Sequence, residues 1–278
     1  MSNLVYQVGI TSILGGIMKK YISYSELKIW SECAFKHKLV YKDKIKKFIG
    51  NEFTAFGKAI HAVCEFTAKG ELPDAEQEQF FDYEFLRELK ALKGEVEFRP
   101  NLVEEMRKQA KQITPQIFPA LAKTFGNYEV FSAEEQLFEP ITEFAPENIK
   151  LKGFVDLIIK TEDGKYHVID WKSCSWGWDA EKRSDKLITY QLTLYKKYFC
   201  AKHKVDPKLV ETHFALLKRT AKKDNVEIFR VTSGPRKTDN ATKLLTDALH
   251  NLNSGFPVKN TKSCQRCEFY QTEHCHDI

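Results

Sequence analysis

The sequence predicts an α/β fold in which a mixed central sheet is flanked by helices, with a helical region on its N-terminal side. Between residues 54 and 123, apolar side chains recur at the three- and four-residue spacing of amphipathic helices. From Tyr128 the period changes to two, which is typical of strands. Helical and strand patterns then alternate until a cysteine-rich tail. This order of patterns favours a sheet with helices packed against it.

The N-terminal half is predicted to be helical. A first helix is expected from about Ser23, with Ser23 or Ser25 as its cap, because a serine hydroxyl can accept a hydrogen bond from the free amides of the first turn. A second helix begins near Thr54 and places Gly57 and His61, four residues apart, on one face. The segment 74–123 follows as charged helix, with an apolar stripe that is expected to be core.

The C-terminal half is predicted to supply the sheet. Strands are expected at residues 128–138, 148–160, 165–173, 209–218 and 226–232. The turn at Asp163-Gly164 makes the second and third of these a hairpin. Two helices are expected, one from residue 184 or 185 to about 202 and one at 238–252.

The composition is that of a mildly basic globular chain. The net charge is +5, and basic residues cluster at 36–47 and 218–223, either as solvated faces or as contacts with a polyanion. No run of about 18 apolar residues occurs, which argues against a membrane span. Lys19 and Lys20 follow the apolar segment 4–17 rather than precede it, which argues against a signal peptide. A cytoplasmic location is therefore expected.

Two carboxylates and a lysine are predicted to converge on the hairpin. Side chains two apart on a strand share a face, so Asp170 and Lys172 point the same way, and in-register pairing brings Asp156 within reach of the same ion. Carboxylates bind Mg²⁺ or Mn²⁺, which supply charge relief and an activated water for phosphodiester hydrolysis. His61 adds a nitrogen ligand, which favours Mn²⁺. An isolated Asp-x-Lys is common, so the ordered set carries the prediction.

Four motifs in this order resemble the PD-(D/E)XK nuclease superfamily, specifically its RecB-like branch, which includes nuclease domains of recombination helicases and CRISPR-associated adaptation exonucleases. The motifs are Gly57-Lys-Ala-Ile-His61, Gly153-Phe-Val-Asp156, Asp170-Trp-Lys172 and Gln191-Leu-Thr-Leu-Tyr195. The resemblance implies a restriction-endonuclease-like core and a catalytic set of His61, Asp156, Asp170, Lys172, Gln191 and Tyr195. The implied metal ligands are His61, Asp156, Asp170 and the main-chain carbonyl of Trp171.

The resemblance also implies roles around this set. Lys172 would serve catalysis, and Gln191 and Tyr195 would support the site and contact DNA. Relatives often carry an acid on the preceding strand. Glu134 or Glu135 fills that position here, and Glu135 is ranked as a supporting residue only.

The expected activity is Mg²⁺- or Mn²⁺-dependent DNA hydrolysis, exonucleolytic on single strands or DNA ends. DNA is the expected partner, with a recombination or CRISPR-integration protein as a further one. Roles in recombination, repair, CRISPR adaptation and viral genome processing (then in the host cytoplasm) stay open. The alternative is a non-catalytic DNA-binding or assembly subunit with the same fold. The presence of Asp156, Asp170 and Lys172 argues for activity.

Seven cysteines without a secretion signal argue against a disulfide framework. Three of them form the tail pattern Cys264, Cys267 and Cys275, which needs a fourth ligand to hold a metal. Several RecB-like nucleases pair one early cysteine with three C-terminal ones around a [4Fe-4S] cluster, so the resemblance implies Cys33 as the fourth. The tail spacing is longer than usual, so His274 and His276 are rival ligands, and zinc is the alternative metal.

The domain prediction has two parts. Residues 1–20 are expected to be an N-terminal extension, with disorder as one interpretation. Residues 21–278 are expected to form a single nuclease domain, with a helical wall at about 54–125, a catalytic core at about 126–233, and the last helix with the cysteine cluster at 235–278. Trp176 and Trp178, just beyond the active-site strand, are expected either to stack on bases or to pack against the next helix.

Overall fold

A mixed sheet forms the centre of the computed structural model, which describes residues 20–45, 48–144 and 148–276. The predicted N-terminal extension therefore lies outside the described residues except for Lys20. In the described residues the sheet has six strands: β1 (Tyr21–Ser23), β2 (Tyr128–Pro140), β3 (Lys150–Thr161), β4 (Tyr166–Cys174), β5 (Val210–Lys218) and β6 (Val226–Val231). The α/β fold class with a mixed central sheet is confirmed.

The strands follow the order β1-β3-β4-β5-β6, and β2 pairs with β3 along its other edge. The pairs β1–β3 and β4–β5 are parallel, whereas β2–β3, β3–β4 and β5–β6 are antiparallel. Both β1 and β4 lie on the same side of β3. β1 pairs with its first residues and β4 with its last, so the two leave a gap between them.

The helices pack on both faces of this sheet. They are α1 (Tyr24–Glu32), α2 (Ala34–His37), α3 (Glu52–Ala68), α4 (Gln77–Ala91), α5 (Pro100–Ile113), α6 (Ile117–Phe125), α7 (Ala180–Ser184), α8 (Lys186–His203) and α9 (Pro235–Ser254). A π-helical turn, Lys38–Lys42, continues α2. As predicted, Ser23 caps α1, and its hydroxyl accepts a hydrogen bond from Glu26 N–H.

Each face of the sheet has its own apolar core. One core joins α1, α8 and α9 to β3, β4 and β5 through residues such as Leu27, Leu192 and Leu245. The other core packs the four helices α3, α4, α5 and α6 on the opposite face of the sheet, around Phe56, Phe85 and Ile117. The apolar stripe of segment 74–123 lies partly in this second core, although Leu86 is exposed. No helix in the described residues is long and apolar enough to cross a membrane.

Candidate functional site

Helix α3 brings His61 to the sheet. Asn51 caps this helix, since its side chain accepts a hydrogen bond from Thr54 N–H while Thr54 Oγ1 accepts one from Asn51 N–H. Gly57 allows a close approach to β4, because a Cβ there would lie 3.2 Å from Ser173 Oγ. One turn later, His61 Nδ1 lies 3.7 Å from Asp156 Oδ2.

Asp156 lies where β3 and β4 separate. The two strands are paired from Lys160–Tyr166 to Leu157–Ile169, and the next opposed positions are Asp156 and Asp170. At this point the Asp156 side chain replaces the missing backbone partner, because its Oδ2 accepts a hydrogen bond from Trp171 N–H at 2.7 Å. The gap between the strands therefore begins at the two aspartates.

Lys172 is held by oxygen atoms from two elements. Its Nζ lies 2.7 Å from Asp170 Oδ2 and donates a hydrogen bond to Gln191 Oε1 at 3.0 Å. Gln191 Nε2 donates in turn to Tyr195 OH at 3.3 Å. The Tyr195 ring fits against Gly153, where a Cβ would lie 2.8 Å from a ring carbon. Helix α8 thus orients the lysine through a chain of two side chains.

Glu134 on β2 completes the acidic group. Ligand atoms of His61, Glu134 and Asp156 all lie within 4.8 Å of one another. The backbone at Glu134 has a φ of +52°, a conformation that costs a non-glycine residue about 1–3 kcal/mol and is concentrated at functional sites. The strain supports a functional reason for this side chain's position.

The neighbouring Glu135 points the other way. Its Oε1 lies 2.8 Å from Lys202 Nζ and also contacts His203 Nε2, both on α8. Of the two acids that the sequence offered for this position, the structure brings Glu134 to the site, and Glu135, the candidate supporting residue, faces α8 instead. A β-bulge between Val130 and Ser132 shifts the register of β2, and the pattern of single residues does not reveal it.

The acidic side chains of the site repel one another and are partly withdrawn from water. Burial, and then the charge of Asp170, raise the pKa of Asp156 well above its usual value. Burial, Asp156 and Glu65 raise the pKa of Glu134 to about 7. Burial lowers the pKa of Lys172, but the charges of Asp170 and Asp156 outweigh it and raise that pKa. The lysine is therefore an ammonium ion near neutral pH.

This donor set fits a divalent cation. Burial lowers the pKa of His61, which leaves a neutral imidazole available as a ligand at pH 7. Two carboxylates with raised pKa values regain their charge when a cation binds beside them. Asp170 is also buried, and its carboxylate pairs with Lys172 Nζ through Oδ2, a contact that leaves further lone pairs for a ligand. Mixed oxygen and nitrogen donors suit Mg²⁺ or Mn²⁺, the latter especially.

Sequence reasoning missed one residue of the surrounding cleft and predicted another only as a member of the basic cluster 218–223. Glu65 lines the cleft with His61 and Glu134. Its spacing of four residues after His61, on the same helix face, was a usable signal. Arg219 lines the same cleft from the loop after β5, where no periodicity indicated its direction.

The profile of the PD-(D/E)XK nuclease superfamily matches residues 21–272. The chain belongs to the PD-(D/E)XK nuclease superfamily. This match covers most of the sequence, from β1 to the cysteine tail. The corresponding activity class is a nuclease, a hydrolase that acts on DNA, and PD-(D/E)XK nucleases usually use Mg²⁺ or Mn²⁺.

Solved structures of similar fold accord with this membership. The crystal structure of a candidate exonuclease from Eubacterium rectale matches 93% of this chain and 90% of its own, with a TM-score of 0.60 and 12% sequence identity. That similarity concerns the fold. The crystal structure of SSO0001 matches 91% of this chain and 85% of its own chain, with 13% sequence identity and a TM-score of 0.42. No curated protein sequence is significantly similar to the chain.

In this PD-(D/E)XK nuclease the four cysteines of the expected cluster line one cavity. Cys33, Cys264, Cys267 and Cys275 enclose a space of about 180 Å³, together with His276 but without His274. The tail also reaches the N-terminal helices through ordinary contacts. Phe35 N–H donates to Val258 O at 3.2 Å, and Asn260 Nδ2 donates to Glu32 O at 2.8 Å.

The potential ligand atoms of this cavity do not form a compact group of three in the described residues. With Zn–S bonds of about 2.3 Å, tetrahedral geometry requires sulfurs about 3.8 Å apart. Among the described residues, no three histidine, cysteine or acidic ligand atoms of this cavity lie within 4.8 Å of one another.

The two tryptophans beyond β4 differ in exposure. Trp178 is buried and packs against Phe214 and Phe229 of the sheet, with ring centroids 5.1 and 6.1 Å away. Trp176 is 69% exposed. Packing therefore accounts for Trp178, and only Trp176 remains available to a base.

Proposed function

We propose that this PD-(D/E)XK nuclease is a metal-dependent DNA exonuclease that acts on single strands or DNA ends. One observation carries the proposal: two aspartates face each other where β3 and β4 separate, with an ammonium group 2.7 Å from the second. Carboxylates and an ammonium group side by side suit phosphodiester hydrolysis, because the carboxylates can bind a cation and the ammonium can offset the charge of the phosphate.

The proposed roles follow the geometry. His61, Glu134, Asp156 and Asp170, with the carbonyl of Trp171, would hold the divalent cation. When bound, that cation supplies positive charge that stabilises the transition state at the phosphate. Two residues act beside it. The Lys172 ammonium offsets the charge of the phosphate, and Gln191 keeps that ammonium directed at the cleft.

A [4Fe-4S] cluster held by Cys33, Cys264, Cys267 and Cys275 is the second part of the proposal. Thiolates are the usual ligands of such clusters. The shared cavity, lined by all four cysteines, supports the proposal, and zinc is the alternative metal. Its proposed role is structural: it would join α2 to the tail, where Lys36 Nζ already lies 3.0 Å from Glu268 Oε2.

Cleavage of labelled DNA tests the activity. The protein is purified without oxygen and incubated with Mn²⁺ and single- or double-stranded DNA labelled at the 5′ or the 3′ end. Lys172→Ala is expected to slow cleavage by about 10²- to 10⁴-fold. Lys165→Ala is the matched control, because Lys165 lies on the same hairpin and its ammonium pairs with the exposed turn residue Asp163. Equal cleavage by all three proteins would reject the assigned site.

The label position reports the mode of action. A ladder of strands shortened by single nucleotides with one label, and release of a labelled mononucleotide or short product with the other, supports an exonuclease. Internal fragments seen with both labels contradict it. Absorbance near roughly 400 nm with iron in the preparation supports the cluster. A colourless preparation that contains zinc rejects it.

A further inference from the structure

Arg219 is a buried cation that forms no ion pair with a carboxylate of the described residues. The residue is 7% exposed, and its Nη2 donates a hydrogen bond to Ser175 Oγ at 2.7 Å. Across the described part of the chain, no carboxylate oxygen lies within 4.0 Å of its nitrogens. Burial lowers its pKa, and the charges of Cys174 and Glu105 offset this only partly. A buried guanidinium costs free energy unless an anion joins it.

The guanidinium lies in the cleft of the metal site. Arg219 lines this cleft together with Phe53, His61 and Glu134. Its Cζ lies 4.7 Å from the centroid of the Phe53 ring, and that side chain is 40% exposed. The cleft thus has acids at one position and an uncompensated cation beside an accessible aromatic ring at another.

The neighbouring cations are already paired. Arg99 also lies over Phe53, at 5.8 Å, but its Nε is 3.1 Å from Glu52 Oε1. Lys58 lines the cleft, but its Nζ is 2.7 Å from Glu88 Oε2. Arg219 is therefore the member of this group that has binding capacity for an incoming anion.

Hydrogen bonds fix the backbone around Arg219. Its N–H donates to Cys174 O at 2.8 Å. Asn225 closes the loop by donating to Lys218 O at 2.9 Å, and its own N–H donates to Gln116 Oε1 at 3.1 Å. Because the loop is already ordered, little conformational entropy is lost when an anion binds.

We infer that Arg219 and Phe53 form a seat for one phosphate and its adjoining base in the strand that occupies the metal site. The inference rests on the proposed nuclease function and adds its substrate contact. The planar guanidinium matches the two oxygens of a phosphate. An exposed phenyl ring stacks on a base only if that base is unpaired, so the seat selects single-stranded DNA.

Binding without a divalent cation separates this inference from catalysis. Fluorescence anisotropy of a labelled single-stranded oligonucleotide is measured in EDTA over a series of salt concentrations. For single strands, each phosphate contact contributes about 0.7 to the slope of log affinity against log salt. Arg219→Gln is expected to weaken binding and to reduce the slope by about that amount, and Arg219→Lys, which keeps the charge, to restore most of the slope.

Phe53→Ala gives a different signature. Loss of one stacked base weakens binding by about 5- to 150-fold, the equivalent of 1–3 kcal/mol. The salt slope stays unchanged, because no charge is removed. Arg99→Gln is the matched control: it removes a guanidinium from the same ring, but one that is already paired. Its slope is expected to equal that of the wild type.

The phosphate has two sources that the substrates distinguish. If Arg219→Gln has equal effects on oligonucleotides with and without terminal phosphates, the seat takes an internal phosphodiester. If the effect is confined to 5′- or 3′-phosphorylated strands, the seat takes that end. An unchanged salt slope in folded Arg219→Gln protein overturns the inference. Binding in EDTA without any cleavage in Mn²⁺ contradicts the proposed nuclease and leaves the seat standing.

Discussion

Replacing Glu134 by glutamine should stabilise the protein without metal. The carboxylate is crowded by burial, Asp156 and Glu65, which raise its pKa from 4.5 to about 7. A carboxyl whose pKa is raised by folding destabilises the fold as pH increases from the unfolded to the folded pKa. The amide has no charge to bury, so Glu134→Gln removes this penalty above pH 7 and changes little near pH 4.5.

The magnitude follows from the size of this shift. At about 1.4 kcal/mol for each pKa unit, the full shift corresponds to at most about 3 kcal/mol. Glu134 is only partly buried, so solvent screening reduces the expected gain to about 1–2 kcal/mol. With about 2–4 °C per kcal/mol for a domain somewhat smaller than this chain, Tm should rise by roughly 2–8 °C at pH 8.

Thermal unfolding in EDTA at pH 5 and pH 8 measures the effect. Glu135→Gln is the matched control on the neighbouring residue. Burial opposes ionisation of Glu135, but hydrogen bonds from Lys202 and Ser132 outweigh it and lower its pKa, so this variant should lose stability at pH 8. Mn²⁺ should raise Tm less for Glu134→Gln than for the wild type, because a ligand is lost. If both variants shift Tm in the same direction, the assignment of the two faces is wrong.

Three further outcomes are expected. Gly153→Ala should cost about 1–3 kcal/mol in urea unfolding, because the methyl group meets the Tyr195 ring. The double variant Gly153→Ala/Tyr195→Ala should lose less stability than the sum of the losses of the two single variants. Strict additivity of the two losses would contradict the contact. Gln191→Ala should slow cleavage by about 10- to 100-fold, with Mn²⁺ affinity by titration unchanged, because the lysine loses its orientation. Cys33→Ser should lose bound iron as Cys264→Ser does, whereas Cys200→Ala, at a cysteine outside the cavity, should retain it by metal analysis.

Local patterns predicted the parts of the site that depend on neighbouring residues in the sequence. The period-two pattern and the Gly164 turn were enough to oppose Asp156 and Asp170 and to align Lys172. Helical spacing was enough to place His61 beside Gly57 on one face. These features need only the geometry of a single strand, helix or hairpin.

Other parts depended on distant contacts or on irregular backbone. Glu134 faces the cleft from an irregular stretch of β2, with a positive φ of its own and a bulge between Val130 and Ser132, and such irregularities leave no periodic signature. Arg219 is placed by a loop that is fixed through Asn225 to Gln116, a residue 109 positions earlier in the chain. The meeting of Cys33 with the tail likewise depends on the whole fold, and sequence alone reached it through resemblance.

The hydrogen bond between Trp171 N–H and the Asp156 carboxylate gives one side chain two duties. The Asp156 carboxylate accepts the hydrogen bond that a strand partner would otherwise accept, and it also faces the candidate metal ligands. The backbone pairing of β3 with β4 therefore ends at this acid without leaving the Trp171 N–H unpaired. Removing that acid would take away the hydrogen-bond acceptor of β4 at Trp171 as well as a proposed ligand of the cation. Asp156→Ala should therefore lower the stability of the protein as well as the rate of cleavage. A substitution of Lys172 should lower the rate of cleavage with less effect on folding.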